Sequence, residues 1–580
     1  MTVNPTSTTP AQKQAKPSQA MLPPRNQLIS DEVELFFATQ NQEVLDAKGV
    51  EFQLLNRINN RLIAENANYN LKGTRAFQTI TTLPPAVIAD CMLHRNRVVR
   101  IVLSDKNTDP AYDVLAVYMD HGPDTGIYVT DEVSIRVLAR EYNYSITLKE
   151  FDLVMSALGD NAPRVMVNTD RDLVAVNNGI FDYKSKQLLP FTPEVVFTAK
   201  SAVDYKENPV NPVIHNDADG TDWDIESWMA DLNDDPEIVN LLWEIMSAII
   251  RPNVAWDKTA WLLSEVGNNG KGTLLTLMRN LCGERAWTSI PVADFGKDFH
   301  LEPLIRTNAV LVDENDVGEY VDKAANIKAV ITNDVILINR KNKVPIAYQF
   351  RGFMVQCVND TPRFRDKSGS LYRRQLIIPF NKSFTGAERK YIKQDYMHRT
   401  EVLEYVLHRV LSGSFYELSE PAAVKMALHQ YKIENDPVRA FVEEFLDRMV
   451  WDLLPWRFLY ALYRAWLVKD QPSNPPLGYN KFIKHLTLVL QDTPDEGKNW
   501  IVTPAAVRTQ NRIVGDEPLA VEYDLSDWID LQPVGGSMRK IGIPHNMPIS
   551  TRGLLRATAA STIGVTDDDQ DDPSSSNAVN

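Results

Sequence analysis

The spacing of apolar residues changes character several times along the chain, and each change predicts an element. Helical spacing runs through DEVELFFATQNQEVL (31–45) and FQLLNRINNRLIAENA (52–67). Apolar residues recurring every three or four positions share one helix face. Shorter runs follow, RVVRIVLSD, DVLAVYMD and GIYVT, and read as strands. In DLVAVNNGIFDYKSKQLLPFTPEVVFTAK, apolar stretches flank the turn NNG and the polar reversal DYKSKQ, so paired strands are expected. A helix is expected from about 236, with Asp235 as its N-cap and Pro236 at its first position. From 258 to about 385 strands and helices alternate, as in parallel-sheet domains. Beyond about 435, NDPVRAFVEEFLDRM opens a mainly helical region with short strands expected at NWIVT and LAVEYDL. Helices followed by a hairpin fit a winged-helix-like module.

Composition marks the ends. Residues 1–28 are rich in Pro, Thr, Ser, Gln and Ala and read as a disordered tail; residues 533–580 read as a flexible tail ending in TDDDQDDPSSSNAVN. The expected class is α/β and multidomain, with a mixed α/β region over 29–215 and a parallel-sheet domain over 216–385. A helical connector over 386–434 and the winged-helix-like module over 435–532 follow. A net charge of −15 argues against a surface coated with nucleic acid, though it leaves room for a local basic channel. Cys91, Cys282 and Cys357 form no metal or disulfide pattern and read as thiols in a reducing cytoplasm. The first twenty residues carry no apolar signal core. The longest apolar run, IVNLLWEIMSAII, falls short of the roughly 20 residues a bilayer requires. A cytoplasmic protein with no membrane partner is expected.

One stretch carries chemistry. SEVGNNGKGTLL (264–275) joins the apolar TAWLL to a helical pattern. Backbone N–H groups can approach phosphate oxygens only where side chains are small, and Gly267, Gly270 and Gly272 supply that. Lys271 can reach the outer phosphates, and a helix starting near Gly272 aims its N-terminus at the anion. Asn268 and Asn269 tolerate left-handed backbone. Glu265 stands where an entry glycine is usual, and Gly272 stands where a magnesium-binding hydroxyl is usual. Thr273, one place later, can meet the Mg2+ shell directly or through water.

Three more strand ends follow. AVLV runs into Asp313 and Glu314; the first suits a Mg2+ shell and the second a base for the attacking water. GFMVQCVND ends on Asn359, an amide that can orient that water at the γ-phosphate. SLYRRQLIIPF places Arg373 and Arg374 before a strand, where one of them could stabilise charge across a subunit interface. Taken singly each is an ordinary surface turn; in this order within one alternating region they point to nucleotide hydrolysis.

The run Trp261–Phe380 resembles the superfamily-three (AAA+) helicase domain of phage, plasmid and poxvirus primase-helicases. The resemblance rests on Asn269-Gly270-Lys271-Gly272-Thr273, Asp313-Glu314, Asn359 to Pro362 and Arg373 to Phe380. NNGIFDYKSKQLLPFTPEVVFT is similar to that family's helicase-associated segment, and NDPVRAFVEEF with LYALYRAW to its C-terminal DNA-binding module. The resemblance implies a P-loop ATPase using ATP and Mg2+, assembled as a homo-hexameric ring that moves on single-stranded DNA. It also implies a role as self-loading replication initiator of a phage or mobile element, acting in the host cytoplasm. Its partners would be origin duplex DNA and other phage or host replication proteins. In such rings a hairpin before the asparagine strand carries a lysine into the pore. Here that segment is VILINRKNKVPIAYQF, with Arg340, Lys341 and Lys343 as the DNA contacts. From Ile338 to Arg374 nine Lys/Arg face two acids, which suits a basic pore inside an acidic shell. Two alternatives stand beside this reading: an ATP-regulated origin-binding protein without sustained unwinding, and a helicase that also makes primers. VYMDHG offers one aspartate, which weighs against a primase site.

Overall fold

A computed structural model describes residues 22–39, 45–315, 324–341, 343–362, 364, 369–472, 475–492, 499–534, 537–544 and 547–560. Both expected N-terminal helices form, over Arg25–Thr39 and Ala47–Asn68. With Pro85–Arg95, Glu132–Tyr142 and Leu148–Asn161 they enclose one apolar core. The first begins earlier than the polar composition suggested: Leu28 and Ile29 are buried one turn ahead of Val33, Phe36 and Phe37. The apolar stripe therefore extends back through a stretch first read as tail. The helices flank a four-stranded sheet ordered Tyr128–Val129, Val114–Tyr118, Val98–Val102, Arg164–Met166. The NNG and DYKSKQ turns link three antiparallel strands, Leu173–Val176, Gly179–Asp182 and Gln187–Leu189. Gly179 is required there, because a Cβ would meet the Leu189 carbonyl oxygen at 2.5 Å.

The helix Pro236–Ile250 has the expected cap: the Asp235 side chain accepts from the Glu237 N–H, and Pro236 opens the first turn. It packs on a five-stranded sheet ordered Trp287–Thr288, Ala309–Val312, Phe353–Val358, Thr259–Leu263, Gln375–Pro379. Every pairing in it is parallel. Alternate residues face opposite sides. Ala260, Leu262, Leu311, Val355 and Ile378 join one core, with the helices Pro236–Ile250, Lys271–Cys282 and Thr400–Leu411. Trp261, Val310, Val312, Met354 and Ile377 join another, shared with the hairpin Val335–Arg340/Lys343–Gln349 and with Val99, Ile101 and Ala116 of the N-terminal sheet. Both faces are covered, which is why these strands are mostly apolar, with Thr259, Gln356 and Gln375 buried among them. The boundaries expected at 215 and 385 therefore cross continuous cores.

In the C-terminal region the helices Pro437–Phe445, Trp456–Asp470 and Tyr479–Gln491 surround an aromatic core that includes Phe441, Trp451 and Trp466. Their sheet orders Leu453–Pro455, Gly553–Arg556, Trp500–Val502, all antiparallel. Two expectations are corrected. LAVEYDL is not a strand but holds the helix Pro518–Glu522: Pro518, which has no N–H for a ladder, starts it, and Leu519 and Ala520 are buried. The flexible tail does not begin at 533, because Gly553–Arg556 is the middle strand of this sheet and Leu554 is fully buried. The acidic run from 566 lies outside the described residues. All three cysteines are buried and free.

Candidate functional site

The loop 264–270 leaves the central region of the parallel sheet and enters the helix Lys271–Cys282. Its backbone is left-handed at Asn268 (φ 54°) and Gly270 (φ 86°), where Gly270 is the N-cap. A Cβ at Gly270 would strike Leu232 at 2.6 Å, so glycine is needed there for space as well as conformation. Gly267 has no positive φ, and a Cβ on it would meet nothing; it leaves the loop open rather than turning it. Asn269 is buried and braces the loop, accepting from the Lys271 N–H (3.2 Å) and donating to the Val266 carbonyl (2.5 Å).

Lys271 is only 6% exposed. Its Nζ donates to Ser264 O (3.4 Å), Val358 O (3.3 Å) and Asn359 Oδ1 (3.2 Å), at the tips of two adjacent strands. Burial pushes its pKa below the usual lysine range, with nearby Asp313 acting in the opposite direction. A bound polyanion would reinforce the charged form. Asp313 is half-buried at the end of Ala309–Val312, and Glu314 beside it is exposed. A Cβ on Gly272 would lie 3.6 and 3.9 Å from the two Asp313 oxygens. The loop helix and the acidic strand tip thus meet at Gly272, with Thr273 half-buried one residue on. That oxygen set suits Mg2+, which keeps several waters and takes one or two carboxylates together with phosphate oxygens. Asn315 locks the tip, donating to Gln356 Oε1 (2.9 Å) and Cys357 O (3.1 Å) and accepting from the Val292 N–H (3.0 Å).

Arg373 and Arg374 precede Gln375–Pro379, which runs parallel to the loop strand with Gln375 opposite Thr259 and Pro379 opposite Leu263. They therefore sit at the opposite edge of the sheet from the loop, about 16 Å away at 3.3 Å per strand residue. Arg373 is exposed. Arg374 is half-buried and donates to the Ser370 carbonyl. Neither is brought to Lys271 of its own chain.

The expected hairpin forms immediately before the asparagine strand, with Arg340 paired to Lys343 at its end. Arg340 is half-buried and bonds across the turn to Val344 O (3.1 and 2.9 Å). Lys341 is exposed. Lys343 is exposed as well but forms an ion pair with Glu132 Oε1 of the N-terminal region at 2.6 Å. Arg363, Arg365 and Lys367, counted in the basic stretch, lie outside the described residues.

The segment 383–393, which no motif in the sequence marks, clasps the loop. The Phe384 N–H donates to Asn268 O (2.7 Å), Asn268 Nδ2 donates to Glu388 Oε1 (2.9 Å), and the Ser383 hydroxyl donates to Gly267 O (3.3 Å). Between this segment, the loop and the helix Ile225–Asp231 lies an open cleft of ≈ 670 Å³, lined by Trp228, Phe384, Ile392, Thr273 and Lys393 among others. The basic run ERKYIK was the available signal, but no motif marks it. Asp120 of VYMDHG is exposed and pairs with His121. Among the described residues no group of three or more His, Cys, Asp or Glu is arranged to hold a metal ion. Among them, too, no helix is long and apolar enough to cross a membrane.

The chain is a mixed α/β multidomain protein whose parallel sheet presents a lysine-bearing glycine loop beside an acidic strand tip. Residues 262–374 match DUF5906, a family of unknown function, and residues 433–513 match the family described as Poxvirus D5 protein-like. No curated protein matches the chain. An apo structure of the NrS-1 C-terminal region, in its A form, is similar at 13% identity and a TM-score of 0.39, covering 80% of this chain and 99% of that one. Another apo structure of the same region is similar at 12% identity and a TM-score of 0.38, covering 79% and 99%.

Proposed function

We propose that this protein is an ATP-hydrolysing DNA helicase and replication initiator of a phage or mobile element, working as a homo-hexameric ring on single-stranded DNA. The observation that carries the reading is the meeting of Lys271 with Asn359 at adjacent strand tips, with Asp313 against the first turn of the loop helix. The asparagine strand lies between the loop strand and the acidic strand. Two strand spacings, about 10 Å, separate the loop strand from the acidic strand, while Asp313 itself reaches the first turn of the loop helix at Gly272. Backbone N–H groups of the loop and the Lys271 ammonium hold the phosphates. Asp313 and Thr273 would hold Mg2+, which supplies charge neutralisation. Glu314 takes the proton of the water, and Asn359 orients it. The remote arginines act on a neighbouring subunit's nucleotide, since they cannot reach their own. The match to the Poxvirus D5 protein-like family over 433–513 supports a replication role. The C-terminal order of helix, strand, helix, helix, strand, strand supports a winged-helix-like duplex-binding module, with Lys481 and Lys484 exposed on its third helix.

The ion pair between Lys343 and Glu132 favours a second reading, in which the hairpin is tied to the N-terminal region and the protein assembles on an origin without sustained unwinding. Strand displacement from a forked duplex, measured with ring size, separates the two. ATP-dependent unwinding by a hexamer supports the helicase. ATP binding and assembly on DNA without displacement supports the second reading and removes the first.

A further inference from the structure

Two features of the loop are explained together by one residue outside it. The first is Gly272, which stands where a hydroxyl residue is usual. A side chain there would enter the space between the loop helix and the segment 383–393. Its Cβ would lie 3.2 Å from Lys393 Nζ, closer than it would lie to either Asp313 oxygen. The ammonium of Lys393 therefore stands at the first turn of the loop helix, in space that the glycine leaves open. The second feature is charge. Lys271 carries one positive charge, and Asp313 beside it carries a negative one. A triphosphate entering that pair is held more tightly by any further cation the chain brings within reach.

Lys393 is placed to supply it. It lies on the short helix Lys390–Gln394, whose Ile392 is packed into the main core. The segment leading to that helix is fastened to the loop through Phe384, Glu388 and Ser383. Loop and helix thus form one clasped unit, and Lys393 lines the same cleft as Thr273 and Gly272. We propose that Lys393 is a second phosphate-binding lysine, acting in cis on the triphosphate across the gap opened by Gly272. The inference rests on the reading of the loop as an ATP site.

The test uses the full chain with Lys393→Ala and Lys393→Arg. ATP affinity is measured by calorimetry with magnesium, and inorganic tripolyphosphate is run as a competitor. Loss of one charge-assisted contact should weaken ATP roughly 10- to 100-fold. Tripolyphosphate should weaken by the same factor, because it shares only the phosphates. Arginine should restore most of the affinity, and the salt dependence of binding should flatten in the alanine variant. Unchanged ATP affinity would show a solvated lysine and overturn the proposal. So would a loss confined to ATP, with tripolyphosphate competing as before, since that places Lys393 against the nucleoside. If the unaltered chain binds no ATP, the function proposed above fails along with this inference; ATP binding by the unaltered chain that is unchanged in the Lys393 variants removes this inference alone.

Discussion

Replacing Lys271 by methionine separates its chemical role from its packing. The side chain is 6% exposed, so alanine would open a cavity, whereas methionine keeps a stem of similar length. The folded chain loses three long hydrogen bonds, to Ser264 O, Val358 O and Asn359 Oδ1 at 3.2–3.4 Å. Each is a bond from a charged donor, worth about 1.5–3 kcal/mol at good geometry and less at these lengths. Against that, a charge disfavoured by burial is removed, so the far-UV melting curve without nucleotide should move little. The nucleotide loses more. Two charged contacts to phosphate oxygens at about 1.5–3 kcal/mol each amount to at least a 100-fold loss of affinity. At ATP one hundred times its Kd the unaltered protein should gain about 2.7 kcal/mol of stability, while a 100-fold weaker variant should gain only about 0.4. The assay is melting with and without ATP and magnesium, alongside phosphate release. A folded Lys271→Met protein that keeps its ATP-induced shift and near-normal turnover would refute the assignment of the loop.

Three further perturbations probe the remaining parts. Glu314→Gln should bind ATP but release phosphate about 10²–10⁴ times more slowly, whereas Asp313→Asn should weaken magnesium-dependent binding; exchanged phenotypes in binding and single-turnover assays would reverse the two roles. Mixing inactive Arg374→Ala with inactive Lys271→Ala should restore some hydrolysis, because mixed rings contain interfaces with both residues intact; no rescue with Arg374 or Arg373, in rings shown to be mixed, removes the arginine in trans. Changing Lys341 and Lys343 together to alanine should abolish DNA stimulation and unwinding and flatten the log–log salt slope of single-strand binding by about 0.7 per lost contact; normal unwinding would make the hairpin a surface turn.

The elements that build the candidate site are legible where they depend on residues close in sequence. The glycines and lysine of 267–272, the strand running into Asp313 and the Asp235–Pro236 cap are each dictated by a few neighbouring residues, and all three elements form. The hairpin of 335–349 was readable for the same reason: a polar turn between two apolar runs. Contacts between distant segments left no such trace. Nothing in NKSFTGAERKYIK shows that Phe384 and Glu388 grip Asn268, or that Lys393 reaches Gly272. Lys343 reads as a free basic tip, and its carboxylate partner lies 211 positions away. LAVEYDL alternates well enough to suggest a strand, but Pro518 and the burial of Leu519 and Ala520 decide for a helix.

The middle strand of the C-terminal sheet sets an order on the making of this protein. Leu453–Pro455 and Trp500–Val502 do not pair with each other; Gly553–Arg556 lies between them. During synthesis the two outer strands leave the ribosome first and wait, each with an unsatisfied edge, until the segment that bridges them arrives. The parallel sheet upstream needs nothing beyond Pro379 for its own pairings and can close much earlier. Long-range closure of this kind is slow compared with local pairing. A chain interrupted anywhere between 503 and 552 would then carry a finished parallel sheet and an open C-terminal module. Such a fragment would keep the paired parallel sheet beside an unclosed C-terminal sheet, so synthesis past residue 556 separates a fully folded chain from a half-folded one.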